Sequence, residues 1–370
     1  MVLADPSRED WRVRYPQMNG QMDSSKPVSL KFLAEHLGLS QTTVSLILNN
    51  SARAKSIPEH TKTRVLDAAR TFNYRPNFFA RYLTYKRSYS VAVIVPEISE
   101  GYGASILHAI ERRMAREGYF HFVASHEWSA ELIEETPRLL LQRGVEGFIL
   151  VNMPLEHRLP VPVVNIGGRK KLENVTNILL DNKRAGRLAL EHLVNLGHRR
   201  IALFKGHPGS ADTEDRWHGI HEAAKSLDIE IDSKLTLQLQ RRSFPPTPPI
   251  PEEGYMYAQK LLARKAAFTA LFAFNDIAAI GAMGAFRDAG LSVPGDISII
   301  GFDDIQAAAF LNPPLTTIRQ PLQRMGDLAA KILLRRIREG DTKPEEVFVN
   351  PELVVRESTA PPKSSSTKSP

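Results

Sequence analysis

The chain contains no cysteine in 370 residues. Disulfide staples, thiolate zinc sites and thiol catalysis are therefore excluded. It also lacks an apolar run long enough to span a bilayer. The most apolar window, Ala266 to Phe286, is interrupted by Asn275 and Asp276 and reads as a strand followed by a helix. The first 25 residues carry Asp5, Glu9, Asp10 and Asp23 and no apolar stretch, so no secretory signal is visible. A cytoplasmic protein without membrane attachment is the expectation. Acidic residues are scarce in one segment. Between Lys26 and Ser90 stand eleven Lys and Arg against three acids, a local charge of +8 in a chain whose total is +7. The basicity is thus concentrated, as contact with phosphates requires.

Within that basic segment, LKFLAEHLGLSQTTVSLILN (30–49) reads as two short helices around a tight turn. Leu30, Leu33, Ala34 and Leu37 repeat at helical spacing, Gly38 stops the first helix, and Ser40 can cap the second. Val44, Ile47 and Leu48 repeat the inward face. The outward face of the second helix opens with Gln41, Thr42 and Thr43, short side chains that donate and accept hydrogen bonds and suit base edges in a major groove. An ordinary helical hairpin has the same periodicity, but the concentrated charge favours a helix-turn-helix. Pro58-Glu59 suits the start of a third helix, with Val65, Leu66, Ala69 and Phe72 as its buried side. Phe78 to Leu83 could form one or two further helical turns, too short to be stable alone.

Beyond about Ser90 the pattern changes. Short apolar runs (91–96, 120–125, 147–152, 161–167) alternate with helical stretches (104–117, 131–143). The alternation restarts with a helix at 183–196 and runs at 201–206, 270–276 and 297–304. Two successive series of this kind predict two α/β lobes with parallel sheets. A small ligand is expected in the cleft between them, outside the carboxyl ends of the strands.

Seven separated motifs, in order, resemble the LacI/GalR (lactose repressor) family of transcription regulators, from about Val28 to Pro362. They are TTVSLILN, YRPN…AR.L, LGHRRIAL (196–203), FNDIAAIGA (274–282), VPGDISIIGFDD (293–304), PPLTTIRQP (313–321) and ELVVREST (352–359). The resemblance implies an N-terminal all-α helix-turn-helix head followed by an α/β two-lobe periplasmic-binding-protein-like core. It implies a homodimer on a pseudo-palindromic double-stranded DNA operator, most naturally a repressor, tuned by a small-molecule effector such as a sugar or related metabolite. A dimer is favoured over a tetramer because no leucine heptad follows the core. Two other readings stay open: control by a partner protein, which an apolar-plugged cleft would favour, and a non-regulatory sugar-binding protein.

The expected organisation is an extension (1–25), the head (26–75), a hinge (76–88), the core (89–359) and a disordered tail (360–370). The first lobe would comprise 89–167 and 312–340, the second 168–311 and 341–359. By the resemblance, Gln41 and Thr42 read bases. Leu46 stands where many relatives carry a guanine-reading arginine, so it can at most meet a thymine methyl. Ser45, Asn49, Arg53, Asn77 and Arg81 are placed for phosphates and sugars. Leu83 matches the hinge leucine that wedges into the minor groove. Arg216 and Asp276 are the expected effector-binding pair, with Tyr102, Asn275 and Phe310 as weaker candidates. Asp303 and Asp304 read as turn-shaping. His218, His221 and Glu222 share a helix face but lack further ligands for a metal. The glycines at 206 and 209 do not have dinucleotide or P-loop spacing. No nucleophile–base pair stands out, so neither a cofactor nor an enzymatic activity is expected.

Overall fold

A computed structural model describes residues 28–49, 51–74, 87–98, 101–208, 211–239 and 250–363. The chain divides into two compact units at Arg87/Ser88. The hinge candidates Asn77, Arg81 and Leu83 lie outside the described residues, as do the whole 1–25 extension and residues 240–249.

The N-terminal unit holds three helices, α1 (Leu30–Leu37), α2 (Gln41–Leu48) and α3 (Glu59–Thr71), with a 3-10 turn at Ala52–Ser56. Side-chain caps set the first two boundaries. Ser29 Oγ accepts from Phe32 N at 3.1 Å, and Ser40 Oγ accepts from Thr43 N at 3.0 Å. Gly38 ends α1 in the left-handed region (φ 65°), where a Cβ is costly. Leu33, Ala34, Val44, Ile47, Val65 and Ala68 form the buried core. One expectation fails here: Leu66 is 42% exposed. Its place is taken by Ala68, because Val65 and Ala68 are one helical turn apart and share the inward face.

The second unit contains two six-stranded sheets. The first is built from β1 (Ser90–Val95), β2 (Phe120–Ser125), β3 (Phe148–Val151), β4 (Val163–Ile166), β5 (Val175–Leu180) and β11 (Glu345–Val349), in the order β11-β5-β4-β3-β1-β2. The second comprises β6 (Ile201–Lys205), β7 (Thr236–Gln238), β8 (Ala270–Phe272), β9 (Ser298–Asp303), β10 (Thr316–Arg319) and β12 (Glu352–Val354), in the order β12-β10-β9-β8-β6-β7. All pairings are parallel except β10–β12, which is antiparallel. Intervening helices are α4 (Gly101–Arg116), α5 (Ala130–Gln142), α6 (Asn182–Asn195), α7 (Ala211–Ser226), α8 (Ile250–Ala263), α9 (Asp276–Asp288) and α10 (Leu322–Glu339). Helices cover parallel sheets, so central strands read as continuous apolar runs; β1, β3, β4 and β5 are buried throughout.

Three lobe boundaries and the start of the tail differ from expectation. The chain leaves the first lobe after β5, not at 167, because β5 pairs with β4. It returns after β10, not at 312, because β10 pairs with β9. The third crossing follows β11 rather than residue 340, since β11 pairs with β5. The buried Arg336 of α10 secures that strand by donating to Thr176 Oγ1 of β5 and to the carbonyls of Asp341 (3.2 Å) and Lys343 (2.6 Å). Finally, the start of the expected tail is docked. His198 Nε2 meets Ala360 O at 2.9 Å, Ala360 N donates to Ser298 Oγ at 3.0 Å, and Lys363 pairs with Asp296 at 2.6 Å. Among the described residues no helix is long and apolar enough to cross a membrane.

Candidate functional sites: a helix-turn-helix face and an interlobe cleft

In the N-terminal unit the cap at Ser40 fixes where α2 begins and therefore which side chains it presents. Gln41 and Thr42 are exposed, while Thr43 is half-buried with its hydroxyl 2.9 Å from Ser40 Oγ. Asn49 Nδ2 folds back on Ser45, donating to its carbonyl at 2.8 Å and its hydroxyl at 3.2 Å. Leu46 is half-buried. Among the described residues, cations elsewhere in this unit have local partners: Lys62 pairs with Glu59 at 2.7 Å, and Arg64 donates to Leu37 O at 3.1 Å. Arg53 and Lys55 are exposed on the 3-10 turn just past α2. The arrangement places polar side chains at a helix start and exposed positive charge beside it, suited to base edges and phosphates respectively.

In the second unit both sheets point their carboxyl ends at an open cleft, about 650 Å³ with its solvent-filled mouth included. The first lobe lines it with Pro96, Glu97, Tyr102, Trp128 and Asn152; the second contributes His207, Asp212, Arg216, Phe274, Asn275 and Asp303, and Gln320 stands at a crossing. Three of the expected residues, Tyr102, Arg216 and Asn275, come together there. Asn275 also caps α9, its Oδ1 accepting from Ala278 N at 2.8 Å.

Arg216, on α7, is buried and tightly committed. Its Nε and Nη2 donate to Asn182 Oδ1 at 3.3 and 3.2 Å, and Nη1 donates to Phe274 O at 2.7 Å. The rings of Phe274 and Phe302 cover it, with centroids 4.8 and 3.3 Å from the guanidinium carbon. Desolvation lowers its pKa to about 10, against the raising effect of Asp303 and Asp212. The guanidinium stays charged at neutral pH.

Two acids flank it. Asp212 accepts from Asn182 Nδ2 at 2.9 Å, and Asp303 accepts from Gln320 Nε2 at 2.6 Å. Burial pushes both carboxyls upward, most strongly Asp303, which also faces the charge of Asp276; Arg216 pulls each the other way. Asp303 ends β9 with φ 115°, and Asp304 follows at φ 57°. Such backbone is rare for non-glycine residues and clusters at functional sites. Sequence reading treated this pair as a turn; its place at a strand's carboxyl end, in the cleft, was the usable signal. Asp304 does have a structural part, pairing with Arg356 at 2.5 Å and Arg319 at 2.7 Å.

Asp276 and Phe310 fall outside the cleft lining. Strand β8 ends at Phe272, so Asp276 opens α9 and its carboxylate turns into the core. It accepts from Thr317 Oγ1 at 2.6 Å and Ile305 N at 2.9 Å, and is fully buried. Glycine at 301 is what leaves room for it. Desolvation raises its pKa to about 7, opposed by those hydrogen bonds. Phe310, on the 3-10 turn Gln306–Phe310, is 81% exposed. Trp128 was missed altogether: it has no motif, and only the backbone turn that carries it reveals its direction. His218 and His221 are otherwise engaged, the first with Glu214 O at 2.9 Å and the second edge-on to Trp217.

Comparison with known proteins settles the family. Residues 29–77 match the family described as bacterial regulatory proteins, lacI family, and residues 190–359 match a periplasmic binding protein-like domain. The chain is 32% identical over 343 residues to the HTH-type transcriptional repressor PurR of Mannheimia succiniciproducens, covering 89% of this chain and 98% of that protein. The chain belongs to the lacI family of bacterial regulatory proteins. It is thus a DNA-binding transcriptional regulator with two parallel-sheet α/β lobes. PurR of Haemophilus influenzae strain Rd is 31% identical with the same coverage. Among solved structures, the lac repressor dimer bound to operator and the anti-inducer ONPF has a TM-score of 0.76 at 28% identity, covering 90% of this chain and all of that one. A complex of the transcriptional regulator CelR with cellobiose has a TM-score of 0.65 at 27% identity over 90% of this chain and 99% of that one.

Proposed function

We propose that this member of the lacI family is a cytoplasmic repressor that binds a pseudo-palindromic operator as a homodimer. A small molecule in the interlobe cleft sets its affinity for DNA. The observation that carries the reading is the start of α2, where Gln41 and Thr42 stand exposed with Arg53 and Lys55 close behind. Gln41 and Thr42 read bases, and Ser45, Asn49 and Arg53 hold phosphates and sugars, while Leu46 supplies apolar contact only. Two heads on successive major-groove faces explain a two-fold target.

The cleft argues for a small effector rather than control by a partner protein. It is not plugged by apolar side chains: carboxylates, a guanidinium and amides line it from both lobes. Neighbours solved with an anti-inducer and with cellobiose support a sugar or related metabolite as its class of occupant. The protein acts by binding, without catalysis. Occupancy changes the relation of the lobes, and linkage makes effector and operator alter each other's affinity by one factor.

The test is selection of bound sequences from random DNA, followed by fluorescence anisotropy at two salt concentrations. A two-fold-symmetric site is expected, with affinity lost in Thr42→Ala and Gln41→Ala. Each such loss is ~1–3 kcal/mol for a base contact. Binding without sequence preference, governed by salt alone, would reject the reading.

A further inference from the structure

The loop between β4 and β5 reads Gly-Gly-Arg-Lys-Lys (167–171), three consecutive cations behind two glycines. The glycines let the backbone run close to its neighbours. Gly167 is left-handed (φ 79°), and a Cβ there would strike Asn152 Oδ1 and lie 3.0 Å from Asp212 Oδ2 of the opposite lobe. A Cβ on Gly168 would strike the Asn165 amide. Two of the three cations tie the loop to its own lobe. Lys170 Nζ pairs with Glu156 at 2.5 Å and Lys171 Nζ with Glu346 at 3.0 Å, while Asn177 Nδ2 donates to Lys170 O at 3.1 Å.

Arg169 leaves that lobe. Its guanidinium pairs with Asp215, near the start of α7 in the second lobe. The neighbouring acids of that helix are placed differently. Glu214 pairs with Lys205 of its own lobe at 3.3 Å. Asp212 faces the cleft, where the charges of Arg216 and Arg169 draw its carboxyl down against the larger effect of burial. The Arg169–Asp215 pair sits at the rim, its side chains 38% and 26% exposed. Other contacts across the cleft are made by rings and apolar carbon: Trp128 stands 6.0 Å from the His207 ring, and a Cβ on Gly101 would lie 3.1 Å from Ile305 Cβ. An ion pair between lobes exists only while the lobes are close, so it stabilises the closed arrangement and not the open one.

We propose that the 167–171 loop is a strap across the cleft mouth, in which Arg169 and Asp215 hold the lobes together and set the balance between closed and open arrangements. The strap biases that balance before any small molecule enters, and an effector acts on a balance already tilted. The proposal rests on the cleft-effector reading above and adds a regulatory contact of that site, made by residues outside its lining.

The experiment uses the full chain, whose lack of cysteine allows two spin labels to be placed without background. Gln142→Cys carries one label on the first lobe and Lys225→Cys the other on the second, both at exposed positions. Labelled chain is mixed with an excess of unlabelled chain, so that a dimer carries one labelled pair. Pulsed dipolar spectroscopy then reads the distance between lobes with no small molecule added. Arg169→Glu and Asp215→Arg each set like charges against each other at the strap. Each is expected to raise the share of longer, open distances about threefold to fivefold, the scale of a partly exposed ion pair. Combined in one chain, the two substitutions rebuild the pair with its charges exchanged, and the wild-type distribution is expected to return. Lys183→Glu, which breaks a 3.3 Å pair with Glu222 inside the second lobe, is expected to leave the distances unchanged. Unchanged distances in both single variants overturn the strap. So does a double variant no nearer to wild type than the singles, or an equal shift in Lys183→Glu. Each of these results leaves the cleft-effector reading standing, because no effector enters the measurement; that reading falls instead when no small molecule moves operator affinity.

Discussion

The two lobes repeat one strand order, with only the last strand reversed, and divide the chemistry between them. Strand for strand, β1 to β5 and β11 of the first sheet correspond in order to β6 to β10 and β12 of the second. Their cleft faces nevertheless differ. The first lobe offers two rings, Tyr102 and Trp128, an amide, Asn152, and a single acid, Glu97. The second holds the buried Arg216 and Asp303 and the half-buried Asp212 within one network of charge. The position after the third strand shows the divergence. Asn152 follows β3, half-buried, and donates to the Tyr102 hydroxyl at 3.3 Å. After β8 the chain runs Phe274, Asn275, Asp276, and the acid is sealed in the core beneath Gly301. The same scaffold thus gives one wall that offers shape and one that offers charge.

The largest effect expected from breaking this asymmetry is at Asp276. Asp276→Ala strands the Ile305 amide and the Thr317 hydroxyl in the core, at a cost of about 1–3 kcal/mol for each. Denaturant unfolding should show a total loss of roughly 2–6 kcal/mol, whereas Asn152→Ala should cost about 1 kcal/mol or less. Equal losses would mean that the lobes are built alike at this position. Next comes Arg216→Ala, which leaves Asp212 and Asp303 facing each other without their cation. Effector affinity should fall by about tenfold or more in calorimetry, on the usual scale for a charged hydrogen-bonded partner. A wild-type affinity would remove Arg216 from the site.

Titration separates the lobes more gently. Asp276, Asp303 and Asp212 are all raised in the folded chain relative to an exposed aspartate at about 3.9. Between that value and the folded one, the native state binds more protons than the unfolded state. Their contribution to stability is therefore present at low pH and lost as pH rises through the folded pKa, about 7 for Asp276. Melting temperature should fall by a few degrees between pH 5 and 8, and Asp303→Asn should flatten the profile. Binding of a hydroxyl-donating ligand runs the other way. It needs ionised carboxylates, so affinity should decline as the buffer is made acidic. A melting temperature that rises steadily over the same range would contradict the assignment.

Local chemistry made much of this legible in the chain itself. Caps at Ser29 and Ser40 and the glycine at 38 mark the helix-turn-helix, and the run at 120–125 coincides with β2. Pairing partners were harder, because periodicity announces a strand without saying which sheet receives it. β5 and β11 meet across more than 150 residues, and β10 lies in the opposite lobe from the helix that follows it. Leu66 shows the limit of helical spacing: an apolar residue one position off the inward face is left in solvent. In the cleft, Arg216 could be found from its surrounding segment. Asp276 was misjudged because Asn-Asp after an apolar run reads as a strand end, whereas the chain had already turned into α9. Asp303 and Trp128 depend on left-handed backbone at the ends of β9 and β2. Nothing in residue type alone announces that conformation for Trp.

The account's central claim is that cleft and operator are coupled through one chain. The most direct measurement is the affinity of the full-length protein for its selected operator, with and without a small molecule that binds the cleft, together with the reciprocal titration. The account predicts a change of roughly fivefold or more, equal in both directions. An operator affinity that does not move when the cleft is saturated would contradict it.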